Sequence, residues 1–227
     1  MKMQKKCCIC GYEFASNHIN YPKNMFIEPH NDGALYYFNL WHYPVEKCPQ
    51  CDYASRDISK TLNKKIIDDD KYKEINTIPI LRELNEARPT SIDVYLKSAY
   101  YYESIGNKLN SAKSLFQAGD LVYAEMLYWE EYILDSSDSV SALISRSEYN
   151  EMKKFADGLF SDGLLRLESY VKENPEDLDA LILLAGTLSD GNKIQNIKAA
   201  RILTALKGMP LNIDQKRAIE FLIEGIS

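Results

Sequence analysis

A chain of 227 residues that is 45% apolar and 26% charged can bury a core, which excludes an intrinsically disordered protein. Its formal net charge of −6 lacks the basic excess of a long phosphate-tracking surface, so a dedicated nucleic-acid binder is disfavoured. No apolar run approaches the roughly 18 residues of a membrane span, and no apolar stretch of a secretory leader follows MKMQKK, so the reading is a cytoplasmic protein away from membranes. Charge is uneven: residues 1–75 hold 11 Lys/Arg and 10 Asp/Glu, whereas residues 76–227 hold 16 and 23. Lys2, Lys5 and Lys6 read as a solvated terminus.

The first element is KKCCICGYEF, with Cys7, Cys8 and Cys10; the other two cysteines, Cys48 and Cys51, lie in EKCPQCDYAS. In a reducing cytosol such clusters are metal ligands or redox groups rather than structural disulfides. C-x-x-C, a gap of 37 residues and a second C-x-x-C supply four thiolates for one tetrahedral zinc ion. Gly11 follows Cys10 where a turn needs positive φ, and Pro49 pre-sets the second turn. Cys7 and Cys10 have the required spacing, so the expected ligands are Cys7, Cys10, Cys48 and Cys51, with Cys8 the spare thiol. A register with Cys8 in place of Cys7 is the alternative. Residues 33–48 are aromatic and suit a strand or hairpin leading into the second knuckle, the arrangement of a zinc ribbon. His18, His30 and His42 show no metal-ligand spacing and read as loop or hairpin-surface residues.

Residues 55–88 read as one or two connecting helices broken by DDDKYK and Pro79, a charge-rich and solvated linker. Thr90 is the expected N-cap of the next helix, with Asp93 at capping-box spacing and Ile92, Tyr95, Leu96, Ala99 and Tyr102 on one face. Ile105–Asn107 stops it. A long helix follows, with Ala112, Leu115, Phe116, Val122, Met126 and Trp129 at helical spacing, ended by DSSDS. Two helices are expected over 138–152 and 154–173. Asn174 reads as the next N-cap with Pro175 in the first turn; the DGN turn, a helix to about Lys207 and a last helix capped by Asn212 complete the chain. Pro175 to Pro210 spans 35 residues, near the 34 of a tetratricopeptide repeat. The fold class expected is α+β: a zinc ribbon over 1–58, a connecting segment over 59–88 and a tetratricopeptide-like helical domain over 89–227. The 16 tyrosines include the run Tyr100, Tyr101, Tyr102, which reads mainly as packing rather than as a binding face.

The knuckles also carry a resemblance. Cys7, Cys10 and Gly11, the aromatic segment with Trp41, and Cys48, Pro49, Cys51, Tyr53 and Ala54 resemble a bacterial domain-of-unknown-function family with two CPxCG-like knuckles and a helical tail. Cys8 stands where that pattern has proline, and Asp52 where it has glycine. The resemblance implies the architecture and the zinc rather than an activity.

The function expected is a non-enzymatic adaptor: one structural zinc in the ribbon, and a helical-repeat surface for a protein partner. The acidic balance of residues 76–227 favours a basic partner segment. No G-x-S-x-G, Walker loop or G-x-G-x-x-G occurs, and four cysteines leave zinc no open position for hydrolysis. One alternative is nucleic-acid or ribosome association through Lys5, Lys6, Trp41 and Tyr43. Another is a thiol redox protein using Cys48 and Cys51.

Overall fold

The computed structural model describes residues 4–15, 44–81, 91–134 and 139–226, with backbone alone over 128–134 and 139–146. The segment 33–43 with Trp41 and Tyr43, the three histidines and Thr90 lie outside the described residues. The chain is α+β, with two small antiparallel strand pairs at its N-terminal end and helices thereafter. No helix among the described residues is long and apolar enough to cross a membrane.

One compact unit takes the described residues up to Gly163; a second begins at Leu164. In the first, β1 (Gln4–Lys6) pairs with β2 (Glu13–Ala15), and β3 (Glu46–Lys47) with β4 (Ala54–Ser55). Each pair brackets one C-x-x-C turn. The following segment is not a solvated linker: Ile66, Tyr72, Ile75 and Leu81 are all buried. DDDKYK both breaks and starts a helix: a short 3-10 turn ends at Asp68, and the next helix begins after an extended Asp69. Asp69 takes extended backbone and its side chain accepts from the Lys71 N–H, capping the short α1 (Asp70–Glu74).

The expected apolar face of α2 (Ile92–Ser104) is buried throughout, and so are Asp93, Lys97 and Ser98. Asp93 does not serve a capping box. Ser91 is the N-cap and makes no side-chain cap bond, while the Asp93 carboxylate accepts from Lys47 Nζ at 2.8 Å. Gly106, at φ +74°, lets the Asn107 N–H reach back to Tyr102 O at 2.8 Å, which closes the helix. α3 (Lys108–Leu134) then packs on α2 through small residues. Ser111 Oγ donates to Ala99 O, Ser98 and Ser114 share a hydroxyl bond, and Ala112 and Ala118 are fully buried.

Residues 139–173 form one helix, α4 (Ser139–Glu173), where two were expected. Glu148, Glu151, Met152, Lys153, Lys154 and Ala156 are helix formers or neutral, and no proline interrupts them. Two of its contacts interlock with α3. The Phe160 ring lies over Gly119 and the Phe116 ring over Gly163, with the two rings stacked at 6.0 Å.

In the second unit, α5 (Leu178–Ser189), α6 (Lys193–Leu206) and α7 (Ile213–Ile226) enclose Ile182, Ala185, Leu203, Leu206, Ala218, Ile219 and Leu222. α5 starts later than Pro175. Asn174 Nδ2 bonds to Tyr170 O and finishes α4, and Asp177 is the cap that accepts from the Ala180 N–H. Asn192 with Gln195 forms a capping box on α6. Asn212 with Gln215 does the same on α7, as the sequence suggested for Asn212.

The interlock makes a test. A Cβ at Gly119 or Gly163 would lie 2.6 Å from a ring carbon, whereas one at Gly158 meets nothing within 4 Å. Gly163→Ala is expected to destabilise by about 1–3 kcal/mol despite the better helix former, and Gly158→Ala to stabilise by about 0.5–1 kcal/mol. Urea unfolding of the three chains measures both.

Candidate metal centre

Each C-x-x-C turn is built by the same two backbone bonds. In the first, the Cys7 N–H donates to Tyr12 O at 2.9 Å and the Gly11 N–H to Cys7 O at 2.9 Å. In the second, the Cys48 N–H donates to Tyr53 O at 2.8 Å and the Asp52 N–H to Cys48 O at 3.0 Å. The residue after the second cysteine of each turn has positive φ: Gly11 at +75° and Asp52 at +66°. Glycine reaches that region freely, and aspartate reaches it better than most residues. The two knuckles are thus one local motif used twice.

Facing each other, they bring the Sγ atoms of Cys7, Cys10, Cys48 and Cys51 within 4.8 Å of one another. Two pairs run between the knuckles, Cys7 with Cys51 and Cys10 with Cys48, both at 3.6 Å. Cys7 and Cys48 are buried and Cys10 is exposed. Cys8 stays outside this cluster; its N–H donates to Ile58 O, and burial, then the neighbouring Cys7, pushes its thiol up. Desolvation also pushes up the Cys48 and Cys51 thiols. At Cys10 desolvation is outweighed by the Tyr12 N–H and the three neighbouring thiols, which hold it below the ordinary thiol value. Four thiolates this close repel one another, and a dication among them is what compensates that repulsion. The donor set, all sulfur and converging from two turns, fits a soft or borderline metal ion, and no fifth ligand joins it among the described residues.

The residue that ends the second knuckle is anchored by its side chain, a link the glycine ending the first cannot make. The Asp52 carboxylate bonds Lys97 Nζ, accepts from Asn76 Nδ2 at 3.1 Å, and lies 3.4 Å from Lys47 Nζ. Burial alone would raise this carboxyl; the Lys97 ammonium, Asn76 and Lys47 outweigh burial and hold it below the usual carboxylate range. Lys97 is fully buried in the middle of α2, with the Tyr72 ring 5.8 Å from its ammonium. Tyr72 itself donates to Asp52 O at 3.0 Å and accepts from the Ala54 N–H at 2.8 Å. At the Gly11 position of the first knuckle a side chain would approach only Lys6 Cε, at 4.0 Å.

The consecutive tyrosines extend this anchorage. Tyr101 OH accepts from the Leu62 N–H, Tyr102 OH from the Arg56 N–H, and Tyr100 OH donates to the Asp69 carboxylate. Tyr53, fully buried after the second knuckle, meets the Tyr101 ring edge-on at 5.3 Å. Three neighbouring side chains of α2 therefore all serve residues 56–69. Lys47, Tyr72 and Lys97 were not singled out from the sequence, and Asp93 was read there only as part of a cap. The i, i+4 spacing of Asp93 and Lys97 within an apolar helix face was the available signal.

Compared with known proteins, the chain matches no protein-family model, no curated protein and no solved structure. The family resemblance therefore rests on the knuckle residues alone.

Tyr72→Phe leaves the wholly buried Ala54 N–H without its acceptor. It is expected to destabilise by about 1–3 kcal/mol, against less than about 0.5 kcal/mol for Tyr100→Phe, whose bond to Asp69 is exposed. Denaturant unfolding of the two variants checks the contrast.

Proposed function

We propose that the chain is a non-enzymatic zinc protein: a zinc ribbon whose single ion is structural, joined to tetratricopeptide-like helices that dock a segment of a protein partner. The observation that carries the metal part is the four-sulfur cluster, with two pairs of sulfurs across the knuckles 3.6 Å apart. A tetrahedron with Zn–S bonds of about 2.3 Å has edges of about 3.8 Å. Zinc bound by Cys7, Cys10, Cys48 and Cys51 would have no position left for water, which is the reason for reading it as structural. The bound ion would offset two of the four thiolate charges and hold the two knuckles face to face, a role worth roughly 10–16 kcal/mol in small zinc modules.

The cluster counts against a Cys48/Cys51 redox pair acting alone, because a sulfur of the other knuckle lies 3.6 Å from each of them, Cys7 from Cys51 and Cys10 from Cys48. For nucleic-acid association, the two lysines that would carry it have partners: Lys5 pairs with Glu46 at 2.9 Å and Lys6 with Glu13 at 3.5 Å. What supports a protein partner is the helical hairpin α5–α6, spaced like a repeat, with Ile194 and Ile197 of α6 exposed on one side of it. The acidic balance of residues 76–227 favours a basic segment as that partner.

Zinc per chain, measured on protein purified without chelator, tests the metal part. One zinc is expected in the wild type and in Cys8→Ser, and well under one in Cys7→Ser. An empty chain whose Cys48 and Cys51 cycle between thiol and disulfide would replace this reading with the redox one. For the partner part, capture of one reproducible protein by the full chain should be lost in I194E/I197E while thermal unfolding is unchanged; capture unaffected by the pair of substitutions would sink the docking role.

A further inference from the structure

Resting on the metal reading above, we propose that zinc loading decides whether the α2 helix is held against the second knuckle, and that the Asp52–Lys97 contact carries this control. Lys97 is fully buried, so its ammonium has no water to turn to. Its counter-charge is Asp52, with the Asp93 carboxylate further off at 3.9 Å and already bonded to Lys47 at 2.8 Å. Asp52 is the residue directly after Cys51. Its left-handed backbone is part of the knuckle, and its N–H closes the turn on Cys48 O.

The position of the carboxylate is therefore set by the turn that the metal would hold. When Cys48 and Cys51 are bound, the turn is fixed and the carboxylate meets the buried ammonium. When they are released, four thiols no longer share a centre and the turn loses its constraint. Lys97 is then left buried beside a carboxylate that is free to leave. A buried charge without its partner is among the costlier defects a fold can carry, whereas apolar contacts tolerate small displacements. Beside its packing on α3, α2 is held by the same segment: Tyr101 and Tyr102 take N–H bonds from Leu62 and Arg56, just beyond the knuckle. The first knuckle, with glycine at the equivalent position, makes no such connection through that residue. The second unit has its own apolar core around Ile182 and Leu203 and serves as an internal control.

Hydrogen–deuterium exchange on the reduced full chain tests this, zinc-loaded and after chelator stripping, with zinc content measured on every sample. Peptides from 92–104 should exchange at least about tenfold faster after stripping, within the range of ordinary coupling between sites. Peptides from 178–226 should not change. The double variant D52G/K97M keeps all four cysteines, places glycine where the first knuckle has it, and replaces the ammonium with an unbranched apolar chain. It should bind one zinc and show little zinc dependence of exchange over 92–104. If the glycine form holds zinc but has lost protection there, D52N/K97M is read in its place. Protection over 92–104 that ignores zinc in the wild type, or depends on zinc equally in the double variant, overturns the proposal. A wild type that never holds zinc removes the metal reading itself, and this proposal with it, and the zinc measurement tells that case apart.

Discussion

An ammonium sealed from water needs a fixed opposite charge, and in this protein that requirement ties the knuckles to the helices. Lys97 sits in the middle of α2 with no exposure, and the chain answers it with Asp52, placed in left-handed backbone at the end of a C-x-x-C turn. Lys47 and Asp93 complete the group, so that strand β3, the turn and α2 meet through charges rather than through apolar contact alone. Such a group orients what it joins more strictly than oily surfaces do, because misplacing either partner leaves a charge without compensation.

The two knuckles show how one local solution can serve two purposes. Their backbone bonds are alike, and both turn through a positive-φ residue. The difference lies in one side chain. Glycine gives the first knuckle no side chain at that position, while aspartate gives the second a handle that reaches the helices. Tyr72 works from the other side, bridging the Asp52 carbonyl and the Ala54 N–H. An aspartate where the first knuckle has glycine thus supplies the main polar link between this turn and α2.

How much of this the sequence discloses depends on the range of the interaction. The four clustered cysteines were legible because C-x-x-C spacing and a following positive-φ residue are local features. The buried face of α2 was legible from periodicity, and the Asn212 cap from its neighbours. Local signals also misled. DDDKYK has the composition of a solvated break, yet Asp69 caps a helix there and Tyr72 is buried. Asp93 has capping-box spacing, yet a lysine 46 positions away claims it. Tyr100–Tyr102 cannot share one helix face, but residues 56–69 wrap far enough to meet all three. For Tyr72, Asp93 and the three tyrosines a partner distant in sequence overrode the local preference, and no window of neighbouring residues contains that partner.

The paired contact between α3 and α4 bears on how this sequence can change over time. Phe160 occupies the space a side chain would need at Gly119, and Phe116 does the same at Gly163. Neither glycine can acquire a side chain while its ring remains, and neither ring can shrink without opening a void over a bare backbone. The two positions of each pair are therefore bound to a common evolutionary fate. Among diverged relatives the expected signature is correlated exchange, with a larger residue at 119 accompanied by a smaller one at 160, and likewise at 163 and 116. That pattern would locate this helix crossing in sequences whose knuckles have been lost altogether.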